Sequence, residues 1–256
     1  MNPPIDISEA AGVRYLHFGS DWIQGAMRIR KPHALELAYT REMMAGLLLR
    51  DGLAADGGHW PRKVLIIGLG AASIARFVHH HLPHAKIRVV EIAPAVVAAA
   101  RQFFKLPAED ARFSIHIGCG AQYVLEHDQQ WDYVLVDGFD RNARAGVLDT
   151  EPFHQAVRAR LSRRGIMAVN LFGRSRGYKT SLERIVRAYD DRALAFPSCD
   201  SGNVVAFGAD GEPITRTVDE LRERARVLKS ETGLDLGPTV SRLEQSGNLP
   251  GGQLLL

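Results

Sequence analysis

Two cysteines, Cys119 and Cys199, are too few for a disulfide framework, and they are expected to be unlinked thiols rather than a bridge or a metal-binding pair. No apolar run is long enough to cross a bilayer and no secretory segment opens the chain, so a protein of the reducing cytoplasm, without a membrane partner, is expected. Charge of one sign is scarce as well: 32 Lys and Arg against 29 Asp and Glu leave a formal +3. The excess is scattered, with no lysine-rich block and no ladder of aromatic and basic residues. A nucleic-acid partner is therefore unsupported, and an anionic substrate is not demanded. Hydrophobic residues at 46% and charged residues at 24% exclude a disordered chain. The 256 residues suffice for one large domain, or one domain with a small appendage.

What is present is concentrated in residues 64–92, which read VLIIGLGAASIARFVHHHLPHAKIRVVEI. Val64 to Ile67 has the β-branched, apolar character of a buried parallel strand. Gly68 and Gly70 then allow a tight turn and close approach of a ligand, and the following helix directs backbone N–H groups toward it. Glu91 closes the next strand about 20 residues on, where a carboxylate accepts hydrogen bonds from ribose hydroxyls. The spacing points to an enzyme that holds an adenosine-containing molecule.

Around this unit the pattern predicts α/β architecture: a Rossmann-type open, mostly parallel sheet covered by helices, with a small N-terminal β element. Residues 1–60 read as short antiparallel strands at Tyr15 to Phe18 and Trp22 to Ile29, followed by one helix from Leu35 to Arg50. Residues 61–210 form the nucleoside-binding domain. Its strands are Val64 to Ile67, Arg88 to Ile92, Phe113 to Ile117, Tyr133 to Val136, Gly165 to Asn170 and Asn203 to Phe207, with helices between them. Residues 211–256 give an amphipathic helix, Val218 to Leu228, and an irregular tail from Gly233. In such a sheet ligands sit beyond the carboxyl ends of the strands, the positions of Gly68, Glu91, Gly118, Asp137 and Asn170.

Asp137, directly after four apolar strand residues in WDYVLVDGFDRNA, is the leading catalytic candidate, with Asp140 a short step further along the loop. Two acids there bind and orient an amine, and one accepts its proton; the alternatives are a cap for Asp137 and a solvated loop acid for Asp140. Trp22 and Tyr39 read as core aromatics of the small β element and helix ahead of the alternative, a substrate wall, while Tyr178 reads equally as a cover of the crevice and as a loop anchor. Arg174 and Arg176 read as exposed charges. The histidines at 79, 80, 81 and 84 suggest a solvated helix end rather than a metal site, so no metal is expected.

The runs VLIIGLG, VVEI, WDYVLVDGFD, PFHQAVRARLSRRGIMAVNLFG and SGNVVAF resemble the polyamine aminopropyltransferases, the spermidine and spermine synthase family, over residues 15 to 208. The resemblance implies a methyltransferase-like α/β domain behind the small N-terminal β element, and transfer of an aminopropyl group from decarboxylated S-adenosylmethionine, a cosubstrate rather than a bound cofactor, to a small-molecule amine, by a homodimer. It places Glu91, Gly68 and Gly70 at the donor nucleoside, with Cys119 and Gly120 near the adenine. It makes Asp137 the base, and Gln24 and Asp140 contacts of the amine. This sequence departs from the family at Ala71, where an acid contacts the donor amine, and at Cys119, where an aspartate meets the adenine. It also has RKPHALELAYTREMM in place of an acidic, tyrosine-containing stretch. These changes leave ordinary S-adenosylmethionine as an alternative donor, for methyl transfer, and a non-catalytic nucleoside-binding protein as a third reading.

Overall fold

The computed structural model describes residues 3–52, 59–140, 144–173, 176–199, 202–247 and 249–256. Three strands open the chain: β1 (Asp6–Ala10), β2 (Val13–His17) and β3 (Ile23–Arg28) form an antiparallel sheet in that order. β1 was not expected, because Ile7 is the one large apolar residue in DISEA. Its pairing with β2, Asp6 opposite His17 through Ala10 opposite Val13, makes it a strand. Leu16 and Met27 are fully buried beneath this sheet and pack with Ala71 and Phe104 of the main domain. Burial of side chains of this size contributes about 1.5–3 kcal/mol each.

The expected helix from 35 to 50 is two short helices, α1 (Ala38–Glu42) and α2 (Gly46–Leu49). Tyr133 causes the break. Its hydroxyl donates to the Met43 carbonyl and accepts from the Gly46 N–H at 3.1 Å, and its ring fills the space a side chain at Gly46 would need. Apolar periodicity continues through the turn, so the sequence shows no interruption there.

The central sheet and its helices then follow in chain order. They are β4 (Lys63–Ile67), α3 (Ser73–His81), β5 (Lys86–Glu91), α4 (Pro94–Phe103), β6 (Phe113–Ile117), α5 (Gly120–Glu126) and β7 (Trp131–Val136). After them come α6 (Glu151–Ala159), β8 (Leu161–Phe172), α7 (Tyr178–Ala188), β9 (Ala193–Ala195) and β10 (Asn203–Ala209). The strand order is β6-β5-β4-β7-β8-β10-β9, parallel except at β10, which runs antiparallel to both neighbours. Alternate side chains serve opposite faces: Val64, Ile66, Tyr133 and Leu135 enter one core, while Leu65, Ile67, Val134 and Val136 enter the other. Strand order reverses between β4 and β7, which opens a crevice at their carboxyl ends.

Beyond β10 lie β11 (Thr215–Thr217), α8 (Val218–Thr232), α9 (Gly237–Gln245) and β12 (Gln253–Leu255). The Thr217 side chain and Glu220 form a reciprocal capping box on α8, and Gly233 ends that helix with a φ of 73°. The run from Gly233, expected to be irregular, folds instead. Val240, Leu243, Leu254 and Leu256 enter the main core, and β12 pairs antiparallel with β11. Its few apolar residues show no clear period; the partner strand and the core surface supply the order. Among the described residues no helix is long and apolar enough to cross a membrane.

Candidate active site

A cavity of about 550 Å³ lies at the switch point. Its floor consists of the turns that follow β4, β5, β6 and β7, with Asn170 of β8 and Asn203 of β10. Gln24 of β3, Tyr39 of α1 and the segment 144–148 close it from above. Gly68, Gly70, Glu91, Cys119, Gly120, Asp137, Asp140 and Gln24 all line this one space. At Gly68 φ is 92°, and an added Cβ would strike the Asp137 backbone, so the turn after β4 and the turn after β7 touch only because this residue has no side chain.

Glu91 is 7% exposed. Its two carboxylate oxygens accept from the Leu69 and Ala93 N–H groups, each at 2.8 Å. Burial raises its pKa, opposed by N–H donation from Ala93, Leu69 and Ile92. The carboxylate thus ties the glycine turn to the end of β5, with lone pairs remaining for hydroxyl donors in the cavity.

Asp137 is half-buried at the end of β7. The Asn170 amide donates to its Oδ1 at 2.9 Å, and the Asn203 amide in turn donates to Asn170 Oδ1 at 2.9 Å. The Tyr39 hydroxyl lies beside the Asp137 carboxylate and interacts with it. Burial raises the Asp137 pKa, and the hydrogen bonds from Asn170 and Tyr39 oppose the rise. Burial, then the Asp137 charge and hydrogen bond, push the Tyr39 phenol well above its ordinary value. Tyr39 is therefore a neutral donor, and Asp137 is a carboxylate with elevated basicity and free lone pairs. Asp140 is exposed; its Oδ1 accepts from the Arg144 N–H at 2.9 Å.

Tyr39 was expected as a core aromatic ahead of a wall residue, yet it lines the cavity; its contact with Asp137 spans 98 positions and carries no local signal. Asn170 was recognised as a strand end, but its orienting hydrogen bond was not. Nothing in the sequence singled out Asn203 or Arg144. Tyr178 is the first residue of α7 and packs against the apolar cluster of Tyr123, Phe153 and Ile185 instead of lining the cavity. It is held there because one face of α7 is drawn onto the sheet. Trp22 is 58% exposed and outside the lining, and Arg176 is an exposed residue away from it; Arg174 lies outside the described residues. The histidines at the end of α3 also lie away from the cavity, with His80 stacked on His33 and His84 on His59. Among the described residues no group of three or more potential ligands converges to hold a metal ion. Cys119 and Cys199 are not joined in a disulfide.

Ala71 does not face the cavity. It is 2% exposed and lies against Gly25 of β3, where a Cβ would come within 2.5 Å of the Ala71 Cβ. The glycine turn thus presents no carboxylate to a ligand.

The strand order, with its crevice between β4 and β7, defines a methyltransferase-like α/β protein. Within that class the chain belongs to the spermine/spermidine synthase family, whose domain model matches residues 38–171. A polyamine aminopropyltransferase from Chromobacterium violaceum is 36% identical over 254 residues, covering 99% of this chain and 94% of that protein. One from Neisseria meningitidis serogroup A is 35% identical over 244 residues, covering 95% and 90%. A spermidine synthase solved in complex with the transition state analogue AdoDATO superposes with a TM-score of 0.65, at 22% identity over 93% of this chain and 84% of that one. Human methyltransferase-like protein 13 in complex with SAH gives 0.67, at 24% identity over 77% and 93%. At these identities the structural likenesses bear on the fold.

Proposed function

We propose that the protein transfers the aminopropyl group of decarboxylated S-adenosylmethionine to a polyamine-type amine. Asp137 carries this reading: a basic carboxylate, fixed by Asn170 and Tyr39, shares one cavity with Glu91 and the glycine turn. Glu91 takes the ribose hydroxyls, and Gly68, Gly70, Cys119 and Gly120 surround the nucleoside. Gln24 and Asp140 hold the acceptor amine. The amine nitrogen attacks the aminopropyl carbon bonded to sulfur, the carbon–sulfur bond breaks, and methylthioadenosine leaves. Asp137 takes the proton lost by the amine, and the cavity holds nitrogen, carbon and sulfur in line. The donor is a cosubstrate exchanged at each turnover. A cytoplasmic homodimer belongs to the same proposal, supported by family membership and by the two unlinked thiols.

Ala71 favours a second reading. With no carboxylate at the glycine turn to repel the amino-acid carboxylate of the donor, S-adenosylmethionine itself fits the donor side, and methyl transfer follows. Mass spectrometry of reactions offered both donors and a mixture of polyamines separates the two, because the added groups differ in mass. Aminopropylated product is expected; methylated product overturns the first reading, and no product with intact nucleoside binding leaves a non-catalytic protein.

A further inference from the structure

On the side of the sheet away from the cavity, where β8 begins and β10 ends, guanidinium groups outnumber their acids. Arg216 Nη2 and Arg224 Nη1 converge on one oxygen, Asp51 Oδ1, at 3.1 and 2.6 Å. Arg50 Nη2 and Arg192 Nη2 converge on the Glu212 carbonyl at 2.7 and 3.2 Å. The Glu212 carboxylate faces Arg163 at 3.2 Å and Arg164 at 3.6 Å, and Arg164 Nη2 also donates to the Asp51 carbonyl at 3.2 Å. Glu220 is a third acid within electrostatic reach of Arg224. Among the described residues, six guanidinium groups thus gather around three side-chain carboxylates, and Arg192 also reaches the Leu256 oxygen at 3.5 Å.

The hydrogen-bonding account is open too. Arg50 Nε, Arg164 Nη1, Arg216 Nε and Arg224 Nε are buried without a hydrogen-bond partner among the described residues, and Arg50 as a whole is 4% exposed. Burial, then the charge of Arg164, lowers the Arg50 pKa to about 10. Buried guanidinium N–H groups without acceptors are costly, and like charges sharing one acceptor repel.

We propose that this cluster binds a compact multivalent phosphoryl oxyanion, phosphate or pyrophosphate, at a site separate from the cavity. The surplus of positive charge matches such an ion better than a monocarboxylate. Its several oxygens accept the paired N–H groups that guanidinium forks present. Entry is from the Asp51 edge, where that side chain is 60% exposed, while Arg216 and Arg224 keep 18% and 24% exposure. The ion takes over donors that now compete for a single Asp51 oxygen. Because these arginines come from α2, β8, β11, α8 and the approach to β9, its binding ties the C-terminal segment to the main sheet.

Calorimetry on the full chain tests this, with pyrophosphate and phosphate titrated against sodium chloride at matched ionic strength. Saturable binding beyond chloride is expected, at least tenfold weaker in both Arg164→Gln and Arg216→Gln, and unchanged in Arg144→Gln, which alters the cavity. Circular dichroism establishes that each variant is folded; Arg163→Gln, at a side chain 84% exposed, is the substitute if either is not. No saturable binding above chloride, wild-type affinity in the cluster variants, or loss of binding in Arg144→Gln overturns the proposal. So does binding of an oligonucleotide by a protein that takes neither phosphate nor pyrophosphate.

Discussion

Asp137 can exchange protons because its environment contains opposing influences. Burial raises its pKa and two hydrogen bonds lower it, so the acid limb of the activity profile should lie above the ordinary carboxylate range. Replacing Asn170 by Leu removes one of the lowering contacts. The acid limb of kcat/KM against pH should then move to higher pH, and a limb that stays put would separate Asn170 from the base. Asp137→Asn should reduce turnover about 10²–10⁴-fold, the range typical of a lost general base. Its effect on stability has the opposite sign. A carboxyl with a folded-state pKa above its unfolded value opposes folding once the pH exceeds the unfolded value, and that opposition fades as the pH falls below it. The asparagine variant cannot ionise, so its thermal midpoint at neutral pH should equal or exceed that of the wild type. A lower midpoint would mean that the carboxylate supports the fold.

At the scale of elements, two contacts bring Tyr39 and the glycine turn into place. Gly25 lets β3 lie directly on Ala71, and a methyl group there meets the Ala71 Cβ at 2.5 Å and its backbone nitrogen at 2.7 Å. Gly25→Ala should weaken methylthioadenosine binding several-fold, measured by calorimetry, by pushing the N-terminal sheet off the turn. On the other flank, α1 carries Tyr39 and ends at Glu42, whose side chain is 2% exposed and paired with Arg242 of α9. Arg242→Met leaves that carboxylate buried without its partner and should cost about 3–5 kcal/mol in denaturant unfolding. Adding Glu42→Met should recover most of the loss. If the double variant is as unstable as the single one, the buried charge is not the cause.

For the whole molecule, the cavity is an assembly of parts far apart in the chain: Gln24 from the first sheet, Tyr39 from α1, and the strand ends from residues 68 to 203. A ligand that binds only this assembled form stabilises it by about 2.7 kcal/mol at 100 times its dissociation constant. Methylthioadenosine should therefore raise the thermal midpoint of the wild type, with a much smaller rise in Glu91→Ala. Equal shifts in the two proteins would remove Glu91 from the nucleoside site.

The sequence by itself determined the α/β class, the nucleotide-type turn and the strand-end positions of Glu91 and Asp137. These are local matters: apolar runs of strand length, glycines where the backbone must turn, and acids just past buried strands. Only the tertiary structure decided which polar groups meet. Tyr39 reaches Asp137 from α1, which the Tyr133 hydroxyl separates from α2, and no periodicity encodes either contact. β1 and the segment after Gly233 are ordered by their pairing and by the core beneath them, since each has too few apolar residues to specify its own element. Tyr178 lies outside the cavity for a related reason: it is near a strand end in sequence, but burial of one face of α7 sets it, half-buried, against the core. Strand ends can be read from the chain, whereas the partners across them are set by packing.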